Sequence, residues 1–327
     1  MAMEAHITHI ELEKCNRGCS HCASAAHPRL EAPELDELGK WLEAVPPDKK
    51  VVITGGEPFF YQDPNGKCGL GGLLRMLLEH RQIQNLMVVS SGIRATSSRE
   101  RAAEQNIASL GKRELKRLQM VVSASNFPRV NKNPEKKIKA AREMQKRLLR
   151  LCVQNGIEVE IISFLGKTVL RDELVLPVIG ESDNFPEEKL GINYRNKPAI
   201  LGRQIASVGK EGGEYTDLGI TYGCMARGEN LDLGVAPDGA VIPGKCYSFV
   251  SSFVEIANIR KEGAEEIREK ARLFRKRLRE KFRIGKSGGK EPSCLRCLEL
   301  APNLRQPERC KAVVGKNNFK KVLKNRK

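Results

Sequence analysis

The chain is short of aromatic residues, of long apolar runs and, towards its C-terminus, of acid. Each shortage narrows what it can do. Phe, Trp and Tyr make up 5% of the 327 residues, with a single Trp. Few aromatics therefore accompany the basic residues, and no RNA-binding module is recognisable. No run of about 18 apolar residues exists, which excludes a membrane-spanning helix. The start, Met1-Ala2-Met3-Glu4-Ala5-His6, lacks a basic segment followed by an apolar one, so no secretory signal is read and the expected location is the cytoplasm. Residues 260–327 carry 23 Lys/Arg against 8 Asp/Glu, whereas the rest is nearly balanced at 34 against 32. The net charge of +17 is thus a property of the C-terminal fifth. Such a patch attracts nucleic acid, an acidic peptide or a phosphorylated substrate, the alternative being a solvated basic helix with a frayed tail.

Cysteine, by contrast, is plentiful. Ten cysteines without an export signal argue for a reducing compartment and for metal or redox chemistry. Three of them stand in Cys15-Asn16-Arg17-Gly18-Cys19-Ser20-His21-Cys22. This C-x3-C-x2-C loop follows a strand predicted over residues 5–13, where Ile10 and Leu12 alternate with charged neighbours. Three thiolates closing on one point suit a cluster. They leave one metal position open, where a closed structural zinc site takes four ligands. A zinc loop completed by His21 or His27 is the alternative that the spacing alone leaves open.

Forty per cent hydrophobic residues is globular composition, and the length allows one large domain or two. Strand and helix signals then alternate. Residues 33–44 read as a helix with Leu35, Leu38, Trp41 and Leu42 on one side. Residues 51–54 read as a buried parallel strand ending in Gly55-Gly56-Glu57-Pro58. Two glycines at a strand's C-terminal end let a ligand approach the backbone, and Glu57 adds an acceptor. Alone, this loop is equally a tight turn. Helices are predicted over 70–80, 98–118 and 133–154, and strands over 85–90, 120–125, 158–164 and 198–201. Cys152 falls on the apolar face of the third helix and reads as a packed core thiol. Such alternation implies an α/β fold with a parallel sheet and active groups at the C-terminal ends of its strands.

Together the two loops resemble the radical S-adenosylmethionine (radical SAM) superfamily, whose members carry C-x3-C-x-Φ-C after the first strand and a GGEP-like loop after the second. His21 takes the Φ position, which is more often aromatic. The resemblance implies a partial (β/α)6 barrel, open at one side, as a core domain over residues 1–215. It implies a [4Fe–4S] cluster on Cys15, Cys19 and Cys22, with the open iron chelated by the amino and carboxylate groups of S-adenosylmethionine. The backbone around Gly55, Gly56 and Glu57 would bind the methionine amino group. Ser91-Gly92 matches a Thr-Asn-Gly strand end loosely. Ser123 and Ser125 are candidates near the cofactor ribose. Arg203, after Gly202, stands where some relatives hold the cofactor carboxylate, an ordinary surface salt bridge being the alternative.

A second cysteine group follows a linker read over 204–221 and marks a smaller unit over residues 216–327. Cys224 precedes the alternating segment Leu231 to Cys246, whose Pro237-Asp238-Gly239 signals a β-hairpin. A helix over 262–283 with Ala264, Ile267, Ala271, Phe274, Leu278 and Phe282 on one face leads to Cys294-Leu295-Arg296-Cys297. By residue type the four cysteines suit zinc or an iron–sulfur cluster equally. The order of hairpin, Ala257-Asn258-Ile259, helix and C-x2-C resembles the twitch domain, the shortened SPASM domain of radical SAM enzymes. That resemblance implies one auxiliary cluster, of [4Fe–4S] type, on Cys224, Cys246, Cys294 and Cys297 in a small β-hairpin-plus-helix domain. Cys310 is a spare thiol or a substitute ligand, and Cys68 is unassigned.

The superfamily's chemistry is reductive cleavage of S-adenosylmethionine to methionine and a 5′-deoxyadenosyl radical, which takes a hydrogen from a substrate in the barrel mouth. The cofactors carry this step while the protein supplies placement and electrostatics. A fully ligated auxiliary cluster is expected to accept or relay an electron. The reading is a net oxidation of a small polar metabolite or a peptide, with an external donor such as flavodoxin or ferredoxin. A tRNA-modifying enzyme using the basic C-terminal region is the alternative. A non-enzymatic zinc protein would leave the GGEP loop unexplained. Tyr61, Cys68 and Tyr222 are the candidates for a second hydrogen donor or general base.

Overall fold

The computed structural model describes residues 5–17, 26, 28–123, 134–163, 178, 192–196, 231–244, 253–282 and 294–326. Six strands, β1 (Ala5–Glu11), β2 (Pro47–Thr54), β3 (Asn85–Ser90), β4 (Leu118–Ser123), β5 (Glu158–Ser163) and β6 (Ile192–Asn196), lie side by side in chain order and all parallel. Between them run α1 (Leu35–Ala44), α2 (Leu70–Glu79), α3 (Ser98–Ala108), α4 (Lys112–Leu115) and α5 (Pro134–Asn155). The fold is α/β with a mostly parallel sheet. Its strand order never reverses, as in the wall of a β/α barrel and unlike a doubly wound sheet.

The pattern of burial explains the elements. In β4 the five residues from Leu118 to Val122 are all buried, the mark of a parallel strand covered on both faces. Helix α2 buries Leu70, Leu73, Leu74, Leu77 and Leu78 in the core at helical spacing. Cys152 of α5 is fully buried in the core, as its position on the apolar face predicts.

Three local expectations change. The helix expected over 98–118 is two helices separated at Ser109-Leu110-Gly111, where Gly111 starts α4 and the Glu114 side chain returns to the Gly111 N–H at 2.7 Å. The strand that pairs with β5 is β6, which was not expected; the strand expected over 198–201 lies outside the described residues. Ile192-Asn193-Tyr194-Arg195-Asn196 alternates in polarity, and this half-polar pattern is a weaker signal than the apolar run chosen in its place. The basic C-terminus is helical rather than frayed: α8 (Pro307–Val314) and α9 (Lys316–Asn325) bury Cys310, Val314, Phe319 and Val322. These helices follow α6 (Ala264–Phe282) and α7 (Cys294–Leu300).

The hairpin joins the same sheet. Its first strand, β7 (Leu231–Val235), pairs in parallel with β1 on the side opposite β2, and β8 (Ala240–Pro243) returns antiparallel to it. The segment after residue 252 then splits its allegiance. β9 (Val254–Glu255) pairs with β11 (Asn303–Leu304), and β10 (Ala257–Asn258) pairs with β8. Among the described residues no helix is long and apolar enough to cross a membrane.

Candidate functional site

The C-terminal ends of β1, β2 and β3 bring three loops together. β1 runs into Cys15, which is buried and accepts a hydrogen bond from the Arg17 backbone N–H at 3.4 Å. β2 runs into Gly55-Gly56-Glu57, and β3 into Ser90-Ser91-Gly92. Both glycines are required by close approach. Gly55 has φ +81° and a Cβ there would stand 2.9 Å from the Glu11 Cβ. A Cβ on Gly56 would stand 2.5 Å from the Lys14 carbonyl oxygen. That carbonyl accepts the Glu57 N–H at 3.1 Å, so the cysteine loop and the glycine loop are pressed backbone to backbone.

Glu57 is the knot. Its carboxylate accepts from Ser90 Oγ at 2.7 Å, Ser91 Oγ at 2.6 Å, the Ser91 N–H at 3.1 Å and the Phe59 N–H at 3.3 Å. Arg17 Nε donates to it at 3.2 Å and to Ser91 Oγ at 3.0 Å. Arg17 spans two carboxylates, since its Nη2 also donates to Glu100 Oε2 at 2.9 Å. Glu100 in turn accepts from Asn16 Nδ2 at 3.3 Å and from the Arg94 N–H at 2.7 Å. Burial pulls the Arg17 guanidinium towards losing its proton, but Glu57 and Glu100 outweigh that and hold it above its ordinary value. The charge inside the cysteine loop is therefore fixed.

Of the other expected positions, Ser91 sits in this knot. Ser123 ends β4, where its carbonyl accepts from Gln145 Nε2 at 2.8 Å. Cys297 lies half-buried on α7, whose first residue is Cys294. Cys19, Cys22, Ser125, Arg203, Cys224 and Cys246 lie outside the described residues, as do the side chain of Cys294, the 204–221 linker and Tyr222. Among the described residues no three His, Cys, Asp or Glu side chains form a metal-binding group, both cysteine sets extending beyond those residues. Tyr61 is buried and its hydroxyl donates to the Pro33 carbonyl at 3.0 Å, with burial foremost in pushing its pKa up. Cys68 stands over Gly72 at the start of α2, its thiol raised by burial and then by Asp63. Cys310 is in the core, where burial pushes its thiol up to about 12, which suits a packed residue better than a thiolate ligand.

Arg17, Ser90 and Glu100 were not among the expected site residues. Arg17 was visible as a cation inside the cysteine loop. Ser97-x-x-Glu100 has the spacing of a capping box. Ser97 Oγ does accept from the Glu100 N–H at 3.3 Å, but the carboxylate turns to Arg17 instead.

Residues 12–175, half of the chain, match the family described as the Radical SAM superfamily. The chain belongs to that superfamily. Membership supports cleavage of S-adenosylmethionine as its chemistry, and it implies a [4Fe–4S] cluster and S-adenosylmethionine. The described part of the first site fits such a group: the Cys15 thiol is buried and accepts an N–H, and the loop that carries it meets the Gly55-Gly56-Glu57 backbone through Lys14. Two solved structures are similar. SuiB of Streptococcus suis, bound to S-adenosylmethionine, has 15% identity and a TM-score of 0.41, with 81% of this chain and 64% of that one covered. The chain thus spans less than two thirds of the SuiB chain. BtrN in complex with AdoMet and 2-DOIA has 16% identity and a TM-score of 0.41, with 86% and 89% covered. Both likenesses are too remote to bear on substrate. No curated protein matches the chain.

Proposed function

We propose that the protein is a radical SAM enzyme with a partial six-stranded β/α barrel. It would oxidise a small polar metabolite or a peptide and pass an electron to an auxiliary cluster in a twitch-like C-terminal unit. Cys15, Cys19 and Cys22 would hold the first [4Fe–4S] cluster, and Cys224, Cys246, Cys294 and Cys297 the second. When bound, the first cluster would supply the electron for reductive cleavage of S-adenosylmethionine. The observation that carries the reading is the contact of the Cys15 loop with Gly56-Glu57, because three thiolates and the amino-binding backbone must act on one cofactor. The chain's own residues hold these two loops in register through Glu57 and Arg17, and they bury a fixed positive charge between Glu57 and Glu100.

Anaerobic reconstitution tests the reading. Two [4Fe–4S] clusters bring about eight irons and a brown protein. Dithionite with S-adenosylmethionine should yield 5′-deoxyadenosine, and Cys19→Ala should abolish it. Cys294→Ala should keep uncoupled cleavage while losing substrate turnover. A colourless protein holding only zinc would sink the proposal.

A nucleic-acid substrate is the second reading. It is favoured by Lys316, Lys320, Lys321 and Lys324, which share the exposed face of α9 and make no ion pair among the described residues. Four of the eight basic residues of α6 differ: Arg268, Lys270, Arg272 and Lys276 are paired with glutamates.

A further inference from the structure

Among the described residues only two non-glycine residues have positive φ, Glu13 at 52° and Gln306 at 48°. They touch each other, with Gln306 Nε2 donating to Glu13 Oε2 at 3.3 Å, although 293 positions separate them. Side chains with a Cβ hold such a backbone only where the surroundings over-determine it. The strain here marks a joint.

On the barrel side, Glu13 is the centre of a three-residue turn closed by the Lys14 N–H and the Leu12 carbonyl at 2.5 Å. This turn takes the chain off β1 and aims the Lys14 carbonyl at the glycine loop, where it meets the Glu57 N–H and leaves no room for a Cβ on Gly56. The next residue is Cys15. The conformation at Glu13 therefore sets where the first thiol stands relative to Gly56-Glu57.

On the C-terminal side, Arg305 grips the Glu13 carboxylate with both ends of its fork, at 2.7 and 3.1 Å. Both side chains are only 3% exposed. Arg309 approaches the same carboxylate at 3.6 Å. The Nε edge of Arg305 reaches Asp238 in the β7–β8 turn, at 2.6 and 2.8 Å, and the Arg305 backbone N–H donates to the Phe253 carbonyl at 2.9 Å. Burial works against the charge on Arg305, but Glu13 and then Asp238 overcome it.

We infer that Arg305 is a positioning residue for the S-adenosylmethionine site. With Gln306 it holds Glu13 in its strained turn, and so seats Cys15 against Gly56-Glu57 in register with the C-terminal hairpin. The inference rests on the radical SAM reading of the first site. It makes cofactor binding at the barrel depend on a segment nearly 300 residues away in sequence.

The test uses the full chain, reconstituted anaerobically, as wild type, Arg305→Ala, Arg305→Lys, Glu13→Ala and the control Arg260→Ala. Arg260 also bridges the C-terminal half to the parallel sheet's side of the molecule, through Glu37, but it touches neither Glu13 nor Lys14. Iron content, the S-adenosylmethionine dissociation constant by equilibrium dialysis, the electron-spin resonance of the reduced cluster with and without S-adenosylmethionine, and Tm are measured. Arg305→Ala and Glu13→Ala should each weaken binding at least tenfold and blunt the spectral change on cofactor addition. Arg305→Lys should recover part of both, and Arg260→Ala should match wild type in both. Alanine keeps the Cβ that strains this backbone but lacks the carboxylate that Arg305 holds, so Glu13→Ala reads out the anchor even if Arg305→Ala does not fold. Wild-type affinity and spectra in Glu13→Ala or Arg305→Ala would overturn the inference, whatever the shift in Tm. A wild-type protein with no cluster signal would instead overturn the proposed function, and this inference with it.

Discussion

Arg17 and Glu57, 40 positions apart, form a buried ion pair in which Nε donates to Oε2 at 3.2 Å. It joins the two loops on which the resemblance to the superfamily rests. A cysteine loop that is held before its metal arrives loses less freedom on binding it. Here the restraint is a cation held between Glu57 and Glu100, with side chains at most 4% exposed.

Removing that cation should cost more than an ordinary surface charge does. Arg17→Met leaves two buried carboxylates facing each other, a loss of about 3–5 kcal/mol by the usual cost of breaking a buried pair. Arg17→Lys keeps the charge but lacks the planar fork that reaches Glu57 and Glu100 at once, so it should recover only part. Thermal unfolding of the metal-free protein measures this without any cluster. An unchanged Tm in Arg17→Met would mean that the knot contributes nothing to holding the loops.

The close approach at Gly56 makes a separate prediction. A methyl group placed 2.5 Å from the Lys14 carbonyl must push the two loops apart, with a destabilisation of about 1–3 kcal/mol as for other overpacked positions. Gly56→Ala should lower S-adenosylmethionine affinity at least tenfold. Gly263→Ala, where nothing stands within 4 Å, should leave affinity unchanged. Equal affinities by equilibrium dialysis would remove the contact from any role in cofactor binding.

These contacts show what a single sequence can and cannot carry. Strand β3 follows the predicted bounds, and the Pro237-Asp238-Gly239 turn and the long amphipathic α5 are where local pattern puts them. Their causes are local: alternation, turn chemistry and helical spacing. Strand β6 was missed because its half-polar alternation competed with a denser apolar run nearby. The partners of Arg17 and Arg305 have no local signature at all. Glu100 has the spacing of a cap, and Glu13 is 292 positions from Arg305. The pairing of β7 with β1 was equally silent, because the hairpin's alternation specifies a partner strand without saying which one.

Burial of Cys310 has a pH consequence with a definite sign. Its thiol is pushed from an ordinary 9.0 up to about 12 in the folded protein. Above about pH 9 the unfolded chain loses this proton while the folded one keeps it, so stability falls between pH 9 and about 12 and is insensitive to this group below. The slope is at most about 1.4 kcal/mol per pH unit for one thiol. Urea unfolding at pH 8 and pH 10 should show a smaller loss for Cys310→Val than for wild type, a comparison that cancels the lysines titrating in the same range. Native protein at pH 9 should resist alkylation at Cys310, read by mass spectrometry. Rapid modification there would show that the thiol is accessible.

The lysine face of α9 separates the two readings of function. Lys316, Lys320 and Lys324 recur every fourth residue, and Lys321 stands beside them on the same face. On a helix rising 1.5 Å per residue that places a cation about every 6 Å, a spacing that can follow a phosphate backbone. Phe319 is buried beneath them, so no exposed ring is available on α9 for base stacking. Any nucleic-acid binding here should therefore be electrostatic and indifferent to sequence. Replacing all four lysines by Glu leaves the buried face of α9 untouched and should preserve Tm. If tRNA is a substrate, the change should abolish the gel shift and flatten the salt dependence of binding by about 3 in log–log slope, four contacts at roughly 0.7 each. If the substrate is a small metabolite, 5′-deoxyadenosine formation with dithionite stays at the wild-type rate and no shift is seen in either protein. A wild-type gel shift that survives the four substitutions would place nucleic acid elsewhere on the surface and remove α9 from the second reading.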